Sequence, residues 1–173
     1  MKRRELIAGG AAALLAGRLR AAPKPGNYLL TDQAGIDAAK QKAARQPWAK
    51  AALDDLLAGA ERALAAPLTI PERGGQWPHW YSCKKDGVTL ETVTPTEHRC
   101  PRCGEVYRGD PYDAVVLYHV HTRNARAARD MGLAYRFTGR AEFAGRAAEI
   151  LLGYAARYGT YRLHNVRDEE KIG

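Results

Sequence analysis

Apolar residues recur at helical spacing in the first third of the chain. Thr31 has the character of a helix N-cap with Asp32 in the first turn, and this pair predicts a helix that runs to about Arg45. Pro47 suits the first position of a second helix, because its missing N–H would be unpaired there in any case, and the pattern continues to about Ala65. The apolar stripe of this second helix comprises Trp48, Leu53, Leu56, Leu57 and Leu64.

A second pair of helices is predicted in the last third of the chain. A start signal at Asp110-Pro111 precedes a helix to about Thr138, and Gly139 supplies a stop. The next helix extends to about Tyr158, and the tight turn between the two predicts an antiparallel hairpin. One stripe of the first helix comprises Leu117, His121, Asn124, Ala128, Met131 and Tyr135. The stripe of the second comprises Phe143, Ala144, Ala147, Ile150, Leu151, Tyr154 and Tyr158.

Between the helix pairs, the pattern changes to that of a small β element. Val88–Val93 alternates like a strand, so residues 76–110 are expected to form a short β-hairpin. Trp77, Trp80 and Tyr81 lie close together in this stretch. They can form the core of a small element that has little else to bury, or a platform on which sugar rings stack.

All three cysteines fall within the same stretch, in two short motifs of one shape. Cys100-x-x-Cys103-Gly is half of a zinc knuckle, because it directs two thiolates toward one point in a tight turn relieved by glycine. Cys83-x-x-Asp86-Gly has the same shape with a carboxylate in the second position. The pair predicts a small element stapled by a metal ion.

We expect a structural zinc held by Cys83, Cys100 and Cys103, closed at four ligands and therefore without metal catalysis. Asp86 preserves the symmetry of the two motifs as fourth ligand, but the sequence leaves that position open among Asp86, His79 and His98. The alternative is free thiols, or a disulfide from Cys83 to Cys100 or to Cys103.

The N-terminus predicts export. Lys2-Arg3-Arg4 precedes an apolar run, Leu6–Gly17, that is too short to span a bilayer, and a cleavage site is expected after Ala21. The adjacent arginines resemble a twin-arginine signal, and the alternative is an uncleaved membrane anchor. The expected location is the periplasm or the outside of the cell, without stable membrane insertion once the signal is removed.

The formal net charge is +8, and half of it lies in the first 21 residues, where five basic side chains oppose one acidic. The remainder is too weakly basic to indicate nucleic acid by itself, and the export signal argues against a zinc-ribbon nucleic-acid binder. It suits a soluble anionic partner such as an acidic polysaccharide.

The predicted fold is mainly α. The signal covers residues 1–21, a helix pair 22–75, a zinc-knuckle insert on a β-hairpin 76–110, and a helical hairpin 111–173. Because helix pairs are the repeating unit of an (α/α) toroid, the chain is expected to form part of one.

Several runs of the sequence are similar to the N-terminal region of the heparinase II/III-like polysaccharide lyases. They are Cys100–Tyr107, Gly109–Tyr112, His121–Ala128, Gly132–Gly139 and Ala148–Tyr158. The resemblance implies an exported enzyme with an (α/α) toroid and a large β-sheet domain, which cleaves uronic-acid polysaccharides by β-elimination. Family members are several times longer, so the chain would be an N-terminal piece that is inactive alone. Where the family often has Cys-x-x-His-Gly, this chain has Asp86.

None of the family's catalytic tyrosine and histidine motifs matches a position here, so the catalytic residues stay unassigned. β-Elimination needs groups that neutralise the uronate carboxylate and a tyrosine or histidine that moves the proton. Candidate substrate contacts are Tyr118, His121, Asn124, His164 and Asn165. The alternative roles are a core histidine bonded to the backbone for His121 and helix packing for Asn124. A different function consistent with the same features is a non-catalytic exported carbohydrate-binding or scaffold module stabilised by zinc.

Overall fold

The computed structural model describes residues 31–165 and 169–170. The predicted signal at 1–21 lies outside the described residues. The helices are α1 Gln33–Arg45, α2 Pro47–Ala65, α3 Tyr112–Thr138 and α4 Ala141–Arg157, with 3₁₀ turns at Pro78–Trp80 and Tyr158–Thr160. The strands are β1 Glu91–Thr94, β2 Glu97–Arg99 and β3 Val106–Tyr107. The described fold is thus mainly helical with a small antiparallel sheet, and none of its described helices is long and apolar enough to cross a membrane.

The described residues divide into two compact units, one up to Lys50 and the other from Ala51 onward. In the first unit, α1 begins one residue later than the sequence predicts. Asp32, not Thr31, is the N-cap, because its carboxylate accepts a 2.8 Å hydrogen bond from the N–H of Gly35. At the other end the N–H of Gln46 closes the last turn on the carbonyl of Lys42.

In the second unit, the predicted β-hairpin is a three-stranded sheet in the order β1-β2-β3. The strand predicted at Val88–Val93 begins only at Glu91, and an isolated bridge joins Ser82 to Thr89 before it. Sequence reasoning missed β3 because two residues are too short to show alternation. His98 occupies the central strand and pairs with Thr92 on one side and Tyr107 on the other.

The predicted hairpin of α3 and α4 is confirmed. Gly139 ends α3 in the left-handed conformation, with φ 76°, which is open to glycine at little cost. The two helices and the second half of α2 share one apolar core. Its buried members are Ala60, Met131, Ala134, Phe143, Ala147 and Ile150. The sequence places Leu151 and Tyr158 on the apolar stripe, but both are exposed. The face of α4 that contacts the core is narrower than the predicted stripe.

An extended segment, residues 66–76, lies against this hairpin, and two glycines permit the contact. A Cβ on Gly75 would lie 2.3 Å from the backbone nitrogen of Tyr118, and a Cβ on Gly153 would lie 3.0 Å from the Ile70 side chain. The guanidinium of Arg157 also donates to the Ile70 carbonyl at 2.9 Å. The segment is therefore packed closely onto α3 and α4 and held there by hydrogen bonds.

Phe143 is fully buried in the shared core, whereas Leu151 is exposed on the same helix. We predict that Phe143→Ala lowers the free energy of unfolding by about 3–5 kcal/mol, because it removes buried apolar surface and leaves a cavity. Leu151→Ala is the matched control and should change it by less than about 0.5 kcal/mol. Urea unfolding followed by circular dichroism measures both, and equal losses would show that the core is not centred on Phe143.

Candidate metal centre

The two motifs fold into knuckles of the same shape. Gly87 and Gly104 both have positive φ, 66° and 76°, which lets the chain turn sharply behind the fourth residue of each motif. The Gly87 N–H donates to the Cys83 carbonyl at 2.8 Å, and the Gly104 N–H donates to the Cys100 carbonyl at 3.0 Å. Each turn therefore directs its first and fourth side chains to the same side, as the spacing predicts.

The two knuckles bring four ligating side chains to one point. One ligand atom each from Cys83, Asp86, Cys100 and Cys103 lies within 4.8 Å of all the others. The sulfurs of Cys83 and Cys103 are 3.7 Å apart, and an Asp86 carboxylate oxygen lies 3.7 Å from Cys83 Sγ and 3.5 Å from Cys100 Sγ. A tetrahedron built on ordinary zinc–sulfur and zinc–oxygen bonds has edges of about 3.8 Å between sulfurs and about 3.5 Å between sulfur and oxygen. These three distances match the edges of a tetrahedral zinc site.

The structure places Asp86, not a histidine, in the fourth position. His79 lies edge-on against the ring of Trp80, with 5.1 Å between ring centroids. His98 is fully buried, and both its nitrogens have other partners: Nδ1 lies 2.7 Å from the Tyr81 hydroxyl and Nε2 lies 2.9 Å from an Asp113 carboxylate oxygen. Neither histidine belongs to the cluster of ligand atoms.

The disulfide alternative does not describe this structure. All three cysteines lie among the described residues and none is linked to another. Cys83 and Cys103 are 3.7 Å apart at sulfur, far beyond a disulfide bond of about 2.05 Å. This separation suits separate ligands of one ion.

Hydrogen bonds within the cluster lower the pKa of some of its groups and raise the pKa of others. A hydrogen bond from the Tyr107 hydroxyl, 3.3 Å from Cys83 Sγ, lowers the pKa of Cys83. The thiols, Cys103 foremost, donate to Asp86 and lower its pKa, and the same contact raises the pKa of Cys103 to about 12. Hydrogen bonding to Cys83 raises the pKa of Tyr107 to about 12. Metal binding must therefore displace the Cys103 proton, and it releases that proton to solvent.

Two of the ligands also belong to the core beneath the sheet. The buried cluster there comprises Tyr81, Cys83, Leu90, Cys100, Tyr107, Tyr112 and Val115. Tyr112 and Val115 belong to the first turns of α3, so the knuckles and the helix share one core. Of the three aromatic residues grouped in the sequence, Tyr81 joins this core, whereas Trp77 and Trp80 are exposed.

A hydrogen-bond chain centred on the buried His98 joins the sheet to α3. The Asp113 carboxylate can only accept, so His98 donates from Nε2, and in the neutral imidazole Nδ1 accepts from the Tyr81 hydroxyl. The Tyr81 oxygen also lies 2.5 Å from the Thr92 hydroxyl. Burial raises the pKa of Tyr81 and so keeps this hydroxyl protonated.

Arg73 on the extended segment makes a second connection, to Asp110 at the end of residues 76–110. Its guanidinium makes a bidentate pair with the Asp110 carboxylate, at 2.8 and 2.9 Å. Asp110 also accepts from the N–H of Ala114 in α3, at 3.1 Å, and the pair with Arg73 is the main reason that its pKa is lowered. Residues before and after the knuckles are therefore tied to the same helix end.

The candidate substrate residues gather along the extended segment. Asn124 is buried and donates to the Thr69 carbonyl at 2.8 Å and to the Tyr154 hydroxyl at 3.1 Å. His121 Nδ1 lies 2.9 Å from the same hydroxyl, and its Nε2 lies 3.0 Å from the Arg73 carbonyl. The structure thus brings His121 and Asn124 together, as their spacing predicts, and bonds them to the backbone.

Two of the remaining candidates border the same segment. Tyr118 is partly exposed and lies against Gly75, and His164 lies beside Gly74. The side-chain amide of Asn165 donates to the Glu169 carboxylate at 2.8 Å. A role in substrate binding stays a prediction for all five residues.

Sequence reasoning missed Tyr154 and Tyr161 as polar partners in this region. Tyr154 was assigned to an apolar stripe, but its hydroxyl joins His121 to Asn124. Tyr161 donates to the Pro71 carbonyl at 2.8 Å and lies edge-on to His121. Tyr154 faces the histidine of the preceding helix across a tight hairpin, and that juxtaposition is the signal that could have revealed it.

An open groove of about 580 Å³ lies between α3 and α4 next to these residues. Its lining comprises His121, Ala125, Ala128, Arg129, Ile150, Leu151 and Tyr154. Most of this lining is apolar, which suits a packed side chain better than an acidic sugar.

We predict that the purified, reduced chain binds one zinc ion, measured by elemental analysis. Cys100→Ser removes a buried ligand, so zinc affinity should fall by more than the roughly 10–100-fold that loss of an outer-shell partner costs. His79→Ala, a histidine of the same stretch outside the cluster, is the control and should keep its zinc. Equal zinc content in all three proteins would contradict the assignment of these ligands.

No protein-family model, no curated protein and no solved structure matches the chain. The family indicated by the sequence motifs therefore stays a prediction.

Proposed function

We propose that the chain is the N-terminal part of an exported lyase that cleaves uronic-acid polysaccharides by β-elimination. In this proposal residues 76–110 form a structural zinc module. The helices belong to an incomplete (α/α) toroid, and the mature protein works in the periplasm or outside the cell.

The observation that carries the proposal is the Cys₃Asp cluster joined to a helical hairpin. The sequence run that resembles the lyase family most specifically, Cys100–Tyr107, supplies two ligands and the tyrosine that donates to a third. The run Gly132–Gly139 supplies the end of α3 and its left-handed glycine. The residues that carry the resemblance therefore form the candidate metal site and end the helix α3.

The closed ligand set supports a structural role for zinc. All four positions of a tetrahedral ion are supplied by protein side chains, so none remains for a reacting water or substrate. When bound, zinc would supply cross-linking of the two knuckles and no acid–base chemistry. Proton transfer in β-elimination must then come from side chains such as tyrosine and histidine.

Within this proposal, the five candidate residues divide by exposure. Tyr118 is partly exposed beside His119, and it can meet a sugar directly. His121 and Asn124 have their polar atoms bonded to the extended segment, and they act there as residues that position its backbone. His164 lies beside Gly74 of the segment and Asn165 follows it in the chain, and both can contribute at the rim of a cleft.

The lyase proposal predicts a specific product. The intact enzyme should release unsaturated uronates from alginate or a glycosaminoglycan, and these absorb in the ultraviolet. The 173-residue chain alone should release none, because cleft residues from later helices are missing. If the intact enzyme yields only saturated sugars, the proposal is wrong.

A second candidate, an exported carbohydrate-binding module without catalysis, is favoured by one observation. Trp77 is the N-cap of the 3₁₀ turn and Trp80 is its last residue, and 58% and 50% of their surfaces are exposed. Large aromatic rings held outward in this way are typical of recognition surfaces. This function shares the zinc module with the first and differs in needing no cleavage.

Binding of acidic polysaccharide by the chain tests this candidate. Trp77→Ala with Trp80→Ala should weaken binding about tenfold, since each ring loses its stacking contact. Trp48→Ala, at a tryptophan that is 66% exposed on α2, is the matched control and should bind like the unchanged chain. Affinity electrophoresis in gels that contain the polysaccharide measures the binding of the unchanged chain, the double variant and Trp48→Ala. A double variant that binds normally would remove the tryptophans from consideration.

A further inference from the structure

The four candidate ligands fall into a buried pair and an exposed pair. Cys83 and Cys100, the first residues of the two knuckles, are 2% and 1% exposed. Cys103 is exposed and Asp86 is half-buried. A metal ion at this point therefore has protein behind the first pair and solvent in front of the second.

The buried sulfurs also receive hydrogen bonds from outside the ligand set. Cys83 Sγ accepts from the Tyr107 hydroxyl at 3.3 Å, and Cys100 Sγ accepts from the N–H of Arg102 at 3.4 Å. Backbone N–H groups within each knuckle add a further contact of 3.4 Å to each sulfur. These donors orient the thiolates and stabilise their charge.

Asp86 lacks such hydrogen-bond support, although the positive charge of Arg102 acts on it. In the described part of the chain, the hydrogen-bond contacts of its carboxylate all go to other members of the cluster, Cys83, Cys100 and Cys103. Ligating carboxylates are ordinarily held by outer-shell donors, and loss of such a donor costs about 10–100-fold in metal affinity. Carboxylate oxygen is also a harder ligand than thiolate, and soft thiolates favour zinc.

We propose that Asp86 is the exchangeable ligand of the zinc site, through which zinc is loaded and released. Zinc enters and leaves on the side of Asp86 and Cys103, while Cys83 and Cys100 anchor it. This inference rests on the proposed zinc site. It adds ready loading and release of zinc, which a site of four thiolates would lack. It makes the folding of residues 76–110 responsive to the zinc available.

The effect extends beyond the knuckles because the anchors share a core with α3. Cys83 and Cys100 pack in one cluster with Tyr112 and Val115. Removal of zinc should therefore increase amide hydrogen exchange in the first turns of α3. The end of α3 near Gly139 lies in the other apolar core and should not change.

The test compares zinc release from the unchanged chain and from Asp86→Cys in the presence of a colorimetric chelator and a non-chelating reductant. Asp86→Cys replaces the carboxylate by a fourth thiolate, so release should slow at least about tenfold. Glu91→Cys adds a thiol on β1, outside the cluster, and should release zinc at the unchanged rate. Substitution by Co²⁺ gives a readout independent of rate. The sulfur-to-cobalt absorption should rise from three thiolates to four only in Asp86→Cys.

The outcomes separate this inference from the proposal beneath it. Absence of zinc and Co²⁺ binding in the unchanged chain would overturn the zinc site itself. Binding by both proteins with equal release rates would overturn only the role of Asp86. If Asp86→Cys fails to bind zinc, Asp86→Asn is tested in its place. This variant keeps the shape of the side chain and removes its charge. It must release zinc at least about tenfold faster than the unchanged chain. An unchanged rate in that variant would also overturn the inference.

Discussion

The convergence of three sulfurs and one carboxylate on a single point is the constraint on which residues 76–110 depend. Groups that all become negative on ionisation can share a space of this size only if protons or a cation lie between them. The rest of the element is small: a sheet of nine strand residues, with two of the ligands among its few buried side chains. A cation bound among them would therefore cross-link a segment that is too short to build an extensive apolar core of its own.

Residues 76–110 are attached to the rest of the second unit by a shared apolar core, a hydrogen bond and an ion pair. Tyr112 and Val115 give them a common core with α3, and the buried His98–Asp113 contact joins the central strand to the same helix. Arg73 and Asp110 form a third connection at their edge. The extended segment that carries Arg73 is in turn bonded to His121, so the candidate metal site and the candidate substrate residues are linked through one helix.

The helices and the knuckles were predictable because their signals are local. Helix periodicity, Pro47, Gly139 and the spacing Cys-x-x-Cys-Gly each act over a few residues and need no distant partner. The third strand and the N-cap of α1 were not predicted correctly. The strand is too short to have a pattern, and two neighbouring residues, Thr31 and Asp32, were both capable of capping.

The sequence by itself determined the helical class, the hairpin after Gly139 and the three thiols as candidate ligands, since each follows from residue type and short spacing. Only the tertiary structure decided which side chain joins the thiols as the fourth candidate, because the choice between Asp86 and His98 depends on which neighbours reach each side chain. Tyr81 and Asp113 take both nitrogens of His98, and they come from separate parts of the chain. In the same way, Asn124 faces a backbone carbonyl 55 residues away in sequence, a partner that no local pattern reveals.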